Sequence, residues 1–145
     1  MGDRLGFRGP LAWASNFSPC RIVYRGIPYP SVEHAFQASK TTNRRLRRVI
    51  ANAALAADAK ALGKRVPLRK GWSEMRVQVM YDLLCLKFSQ PEYRDLLLST
   101  GQQELVEWNS WHDTFWGVDR ATGEGENLLG HLLMRVRSEL QQESE

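Results

Sequence analysis

Residues 72–88, Trp72-Ser73-Glu74-Met75-Arg76-Val77-Gln78-Val79-Met80-Tyr81-Asp82-Leu83-Leu84-Cys85-Leu86-Lys87-Phe88, read as one long helix. The apolar residues Trp72, Met75, Val79, Met80, Leu83, Leu84 and Leu86 cover most of its circumference. A helix apolar nearly all round belongs in an interior, so this stretch is expected to be the central core helix. Helical patterns flank it on both sides. Ser31 reads as an N-cap, and Val32, Ala35, Phe36 and Ser39 follow at helical spacing, so a helix is expected to about Thr42. Asn43 reads as the cap of a second helix, with Leu46, Val49 and Ile50 facing inward. A third is expected over residues 53–62, stopped by Gly63 at the C′ position. Pro91 opens a short helix that Ser99-Thr100-Gly101 closes, and a final helix lines up Leu129, Leu132, Leu133, Val136 and Leu140 on one face.

Strand signals are fewer. Residues 1–31 read as irregular or β-like, with Arg21 to Tyr24 as a strand, Arg25-Gly26 as a turn and Ile27 to Tyr29 as a second strand. Leu105 to Trp108 reads as another strand, and a glycine-rich loop spans residues 117–125. The strands do not alternate with helices, which argues for an α+β, predominantly α-helical fold over a doubly wound sheet. Repeats and linkers are not seen, and 145 residues suit a single domain over 1–145.

Charged residues are 25% and hydrophobic ones 43% of the chain, an ordinary globular balance. No apolar run approaches the roughly 18 residues of a membrane-spanning helix. Met1-Gly2-Asp3-Arg4 is not followed by an apolar stretch, so no secretory leader is read. Cys20 and Cys85 make no disulfide framework. A cytoplasmic protein without a membrane partner is expected. The net charge of +4 is uneven: residues 40–70 hold ten basic residues against Asp58 alone, a local +9 that leaves −5 for the rest. Such a segment points to an anionic ligand, phosphate first, or to a plain solvated face.

Chemistry-bearing residues cluster in two places. Glu33, Gln37 and Lys40 lie four and seven positions apart, so on a helix they share about 60° of arc. A carboxylate there can act as general acid or base, and a desolvated amine as a nucleophile. Spacing alone favours the commoner use of this pattern, an exposed polar face with a Glu–Lys salt bridge. The second place is Asn109 to Gly117, where Asp113 offers a second acid and Trp108, Trp111 and Trp116 offer rings to stack on a base or sugar. A core-lining aromatic cluster fits equally well. Gly123 to Gly130 is a glycine-rich turn into a helix N-terminus, weakly suggestive of phosphate. Metal-ligand spacing is absent, His34 included, and neither metal nor cofactor is expected.

Taken in order, several segments resemble the NADAR family, also called YbiA-like. They are Ala14 to Phe17, Tyr29 to Lys40, Ala59 to Lys64, Trp72 to Met80, Leu86 to Phe88, Thr100-Gly101 with Leu105 to Glu107, Asp113 to Gly117, and Gly125 to Arg137. The resemblance implies an N-glycosidase with a mainly helical α+β fold. Its substrates would be ADP-ribosylated guanine, in nucleic acid or nucleotide, or phosphorylated ribosylamino-pyrimidine intermediates of riboflavin synthesis. Some members are antitoxins. The resemblance places Glu33, Lys40 and Asp113 in catalysis. It places Asn16, Gln37, Trp72, Trp116, Gly117, Gly125 and Asn127 in substrate binding, and the basic Lys60, Lys64 and Arg65 are candidates for the phosphate or diphosphate. Lys64 replaces a more usual arginine, and the loop from Val118 to Thr122 lacks the glycines and acid of riboflavin-type members. The competing class is a non-catalytic module that binds ADP-ribose or nucleic acid through the same basic helices and tryptophans.

Overall fold

In a computed structural model the described residues are 4–143, so the reading of Met1 to Asp3 lies outside them. A short 3-10 helix, Gly9–Ala14, comes first, where the sequence suggested irregular or β-like chain. Next come β1 (Ile22–Tyr24), β2 (Ile27–Tyr29), α1 (Val32–Ala38), α2 (Arg44–Ala51), α3 (Ala56–Gly63) and α4 (Trp72–Phe88). Then follow α5 (Pro91–Ser99), β3 (Trp108–Asn109), β4 (Val118–Asp119) and α6 (Leu128–Glu143). Helices thus dominate, with a few short strands, as the patterning implies. The chain divides into two compact units: residues 16–87, and residues 88 onward together with those up to 15.

In the first unit β1 and β2 pair antiparallel, Ile22 opposite Tyr29 and Tyr24 opposite Ile27. Their turn takes positive φ at both Arg25 (53°) and Gly26 (82°), the geometry that matches hairpin twist. Helix α1 packs on α2 and α3. Its N-terminus is fixed by Ser31, whose Oγ accepts from the His34 N–H at 3.1 Å. The helix ends at Ala38, short of Thr42, because its last turn tightens: Lys40 N–H bonds Gln37 O and Thr41 N–H bonds Ala38 O. Basic residues then satisfy the leftover carbonyls. The Arg69 N–H donates to Lys40 O at 2.7 Å, and Arg47 Nε donates to Thr41 O at 2.8 Å.

Three readings need correction. Val49 is 49% exposed, and of the expected trio on α2 only Ile50 is fully buried. On α4, Leu86 is exposed and the adjacent Lys87 is completely buried. Burial pushes the Lys87 amine down to about 8, with Cys20 opposing the shift. Gly63 is the last residue of α3 and carries no positive φ. A Cβ there would land on Gln37 Oε1, so the glycine serves close approach of α3 to α1 in place of a left-handed cap.

The second unit joins the 3-10 helix to α5 and α5 to α6. Leu129, Leu132, Leu133, Val136 and Leu140 form the buried face of α6, as their spacing implies. The expected strand at Leu105 to Trp108 reduces to Trp108–Asn109, which pairs parallel with Val118–Asp119 inside the loop read as irregular.

Candidate active site

Helix α1 is buried along its whole length, polar residues included. This removes the reading of Glu33, Gln37 and Lys40 as a solvated face. Glu33 is 8% exposed and Gln37 is 5% exposed. Gln37 Nε2 donates to Glu33 Oε2 at 2.7 Å, a bond one turn apart on the helix. That bond commits the amide nitrogen and turns Gln37 Oε1 elsewhere, where no donor among the described residues meets it. Asn16 adds a second such acceptor. Its backbone oxygen accepts from the Glu33 N–H at 3.0 Å, and its Nδ2 lies 3.5 Å from Met80 Sδ. Its Oδ1 is buried without a donor among the described residues. A buried unpaired acceptor costs on the order of 1–3 kcal/mol, so two beside one carboxylate suit a ligand that brings N–H or O–H groups.

Lys40 completes this face. It is half-buried, and its amine makes no hydrogen bond or ion pair among the described residues. The expected Glu33–Lys40 salt bridge does not form, yet the two charges do sense each other. Burial is the largest influence and lowers the Lys40 pKa; Glu33 opposes it, and the like charges of Lys60 and Lys64 reinforce it. A lysine so placed holds more neutral amine near pH 7 than a free one, which is what a nucleophile requires.

The remaining candidates in this unit have lesser roles in the geometry. Lys60 and Lys64 act on Lys40 through charge, whereas Arg65 is exposed on the turn after α3. Trp72 is covered, 6% exposed, and tilts against Phe36 with ring centroids 5.2 Å apart. It backs α1 from the core side. His34 is locked in place: Nε2–H donates to Ala53 O at 3.0 Å, and Nδ1 accepts from the Ser31 hydroxyl at 2.7 Å.

In the second unit the candidates are mostly occupied by backbone. Asn127 stands at φ 52°, with Oδ1 accepting from the Glu107 N–H and Nδ2 donating to Leu105 O. The N–H groups of Leu128 and Leu129, which open α6, go to Phe115 O and Trp116 O. The helix terminus read as a phosphate cradle is therefore already filled by carbonyls. Gly117 and Gly125 sit where a Cβ would strike Glu107 O and Gly117 O respectively. Trp116 packs edge-on against Phe115 at 4.8 Å, Trp111 is 52% exposed, and Arg4 lies over Trp108 at 4.6 Å. Asp113 is divided. Its Oδ1 accepts from Phe115 N–H at 3.0 Å and Trp116 N–H at 2.9 Å, while Oδ2 makes no hydrogen bond among the described residues.

Sequence reasoning missed a third set: Arg25, Arg47 and Arg69, which line one cavity of about 270 Å³ in the first unit. Their only sequence signal was the basic excess of residues 40–70, to which Arg25 does not belong.

The chain is similar to known proteins over most of its length. The NADAR domain model matches residues 7–141. The N-glycosidase YbiA of Escherichia coli is 40% identical over 129 residues, spanning 87% of this chain and 79% of that protein. A riboflavin biosynthesis protein of Vibrio vulnificus is 41% identical over 131 residues, 88% of this chain but 35% of its own length. The solution structure of E. coli YbiA superposes with a TM-score of 0.84 at 36% identity, covering 97% of this chain and 86% of that one.

Proposed function

The chain belongs to the NADAR domain family, and we propose that it removes ADP-ribose from the exocyclic amine of guanine, with Glu33, Lys40 and Asp113 as its catalytic groups. The coarser statement, an enzyme that hydrolyses N-glycosyl bonds, follows from N-glycosidase relatives at 40% identity across most of both chains. The observation that carries the catalytic reading is the half-buried Lys40 amine, without a hydrogen-bonding partner among the described residues, seven positions from Glu33 and three from Gln37, which bond each other.

In such a substrate the anomeric carbon of ribose is bonded to an amine nitrogen. Glu33 delivers a proton to the ring oxygen as the ring C–O bond breaks, and the nitrogen lone pair closes to an iminium. The neutral Lys40 amine adds to that carbon. After a proton shift the guanine leaves as a neutral amine, and the sugar remains on Lys40 as an iminium. Water adds, the C–N bond to Lys40 breaks, and the sugar recloses with the amine regenerated. Glu33, left as a carboxylate by the first step, takes the proton of that water, and Asp113 offers a second carboxylate oxygen that its backbone contacts leave over. Asn16 Oδ1 and Gln37 Oε1 accept hydrogen bonds from sugar hydroxyls or the base. Lys60, Lys64 and Arg65 supply charge toward the diphosphate, and Trp72 positions α1.

The excess of +9 over residues 40–70 favours a diphosphate substrate over a monophosphate. A second reading, hydrolysis of ribosylamino-pyrimidine phosphates, is favoured by the riboflavin biosynthesis protein at 41% identity. Separate incubations with ADP-ribosylated guanine DNA and with a ribosylamino-pyrimidine phosphate decide between them, reading release of base or sugar. Borohydride added during turnover traps the sugar on Lys40, detected by peptide mass. No adduct, together with an active Lys40→Ala variant, removes the lysine route and leaves direct attack of water.

A further inference from the structure

Arg25, Arg47 and Arg69 come from three separate elements: the β1–β2 turn, helix α2 and the segment leading to α4. They line a concave cavity of about 270 Å³ together with Ser39, Thr42, Tyr24, Met75 and Val79. Three guanidiniums in one concavity repel one another, and that repulsion is compensated where an anion joins them. Among the described residues no carboxylate pairs with any of the three. Arg47 also senses Arg69, Arg25 and Arg44 as like charges.

Helix capping accounts for part of this arrangement and leaves part over. Arg47 spends its Nε on Thr41 O, and Arg69 spends one terminal nitrogen on Ser39 O at 3.4 Å. The two terminal nitrogens of Arg47 and the second terminal nitrogen of Arg69 make no hydrogen bond among the described residues. Each is thus anchored at one edge with donors remaining, the arrangement in which a planar fork grips a phosphoryl group. Arg25 caps nothing; its guanidinium lies 5.5 Å from the Tyr24 ring centroid. The lining is also mixed, with Met75 and Val79 giving an apolar wall beside the cations. A cavity with an apolar wall and few convergent polar groups suits a small molecule, whereas a polynucleotide needs an extended basic stripe.

We propose that Arg25, Arg47 and Arg69 form a binding site for the phosphate or diphosphate group of a small organic molecule, distinct from the Glu33–Lys40 face. The site adjoins that face: Ser39 and Thr42 flank Lys40 in the chain, and the Arg69 N–H holds Lys40 O. The inference concerns binding and does not rest on the glycosidase reading.

Calorimetric titration of the full chain with pyrophosphate, at ionic strength held constant with sodium chloride, tests it. A site is expected that is weakened at least fivefold by Arg25→Gln and by Arg69→Gln, and unchanged in a double variant of the exposed Arg45 and Arg48, Arg45→Gln with Arg48→Gln. Arg25 is exposed, so Arg25→Gln keeps the fold and is the deciding variant if Arg69→Gln lowers stability. Absence of saturable pyrophosphate binding to the wild type overturns the proposal. So does a titration that Arg25→Gln and Arg69→Gln both leave unchanged. A competition arm with oligothymidylate separates the sources: displacement of pyrophosphate at lower phosphate concentration than orthophosphate marks a nucleic-acid surface and overturns a small-molecule site.

Discussion

Two buried polar regions sit in this chain and are used in opposite ways. From Leu105 to Gly130, polar side chains serve their own backbone: Asn109 bridges to Asp113, Asp113 holds two N–H groups, and Asn127 pins Leu105 and Glu107. Along α1, Glu33 and Gln37 bond each other, and acceptors at Gln37 and Asn16 are left over. In the first region nearly all of this capacity goes to backbone, the buried Nε and one terminal nitrogen of Arg120 excepted, which makes it scaffold. The second has hydrogen-bonding capacity that folding does not consume, and a site is built from such capacity. Of the first region's candidates, Asp113 alone retains an unused oxygen.

The sharpest way to break this contrast is to delete one residue from each region. Glu33→Gln keeps shape and volume and should lower kcat/KM by about 10³-fold with a small change in melting temperature. Asn127→Ala should do the reverse. It strips two hydrogen bonds, one of them buried, and an αL residue suited to that φ, costing about 2–4 kcal/mol of stability in chemical denaturation. Comparable turnover losses in both variants, measured where both are folded, would dissolve the distinction.

Asp113 stands between the two cases, and isosteric substitution separates its functions. Asp113→Asn retains an Oδ1 acceptor for Phe115 and Trp116, so stability should be nearly unchanged. Turnover should fall by about 10²-fold, because an amide cannot supply the second carboxylate oxygen. Asp113→Ala should add a stability loss of about 1–3 kcal/mol. Full activity in the Asn variant assigns the residue to the turn alone.

How much of this was legible in the sequence depends on distance along the chain. The limits of α4, the caps at Ser31 and Asn43 and the hairpin at residues 22–29 are local facts, and spacing or a single side chain encodes them. The face shared by Glu33, Gln37 and Lys40 was equally local. Its burial was not, because α2 and α3 cover α1 from elsewhere in the chain. Gly63 shows the same limit: locally it reads as a helix stop, and only Gln37, 26 positions away, reveals why a side chain is excluded. Gly63→Ala should therefore act as a packing lesion, costing about 1–3 kcal/mol. It should also lower kcat/KM about tenfold by displacing Gln37 from Glu33. A glycine serving only as a helix stop would leave kcat/KM untouched.

The smallest expected effect tests the electrostatics of Lys40 itself. Burial, Lys60 and Lys64 hold its pKa below 10.5 and Glu33 pulls the other way, so neighbouring substitutions must move it in opposite directions. Competitive acetylation with acetic anhydride, followed by peptide mass across pH, reports the neutral fraction of the amine without requiring turnover. The wild-type midpoint should fall below 10.5. Lys60→Gln removes a like charge that disfavours the ammonium, so the midpoint should rise. Glu33→Gln removes the opposite charge that favours the ammonium, so the midpoint should fall. Should both variants move it the same way, Lys40 is answering to solvent exposure, and the charges around it do not poise the amine for attack.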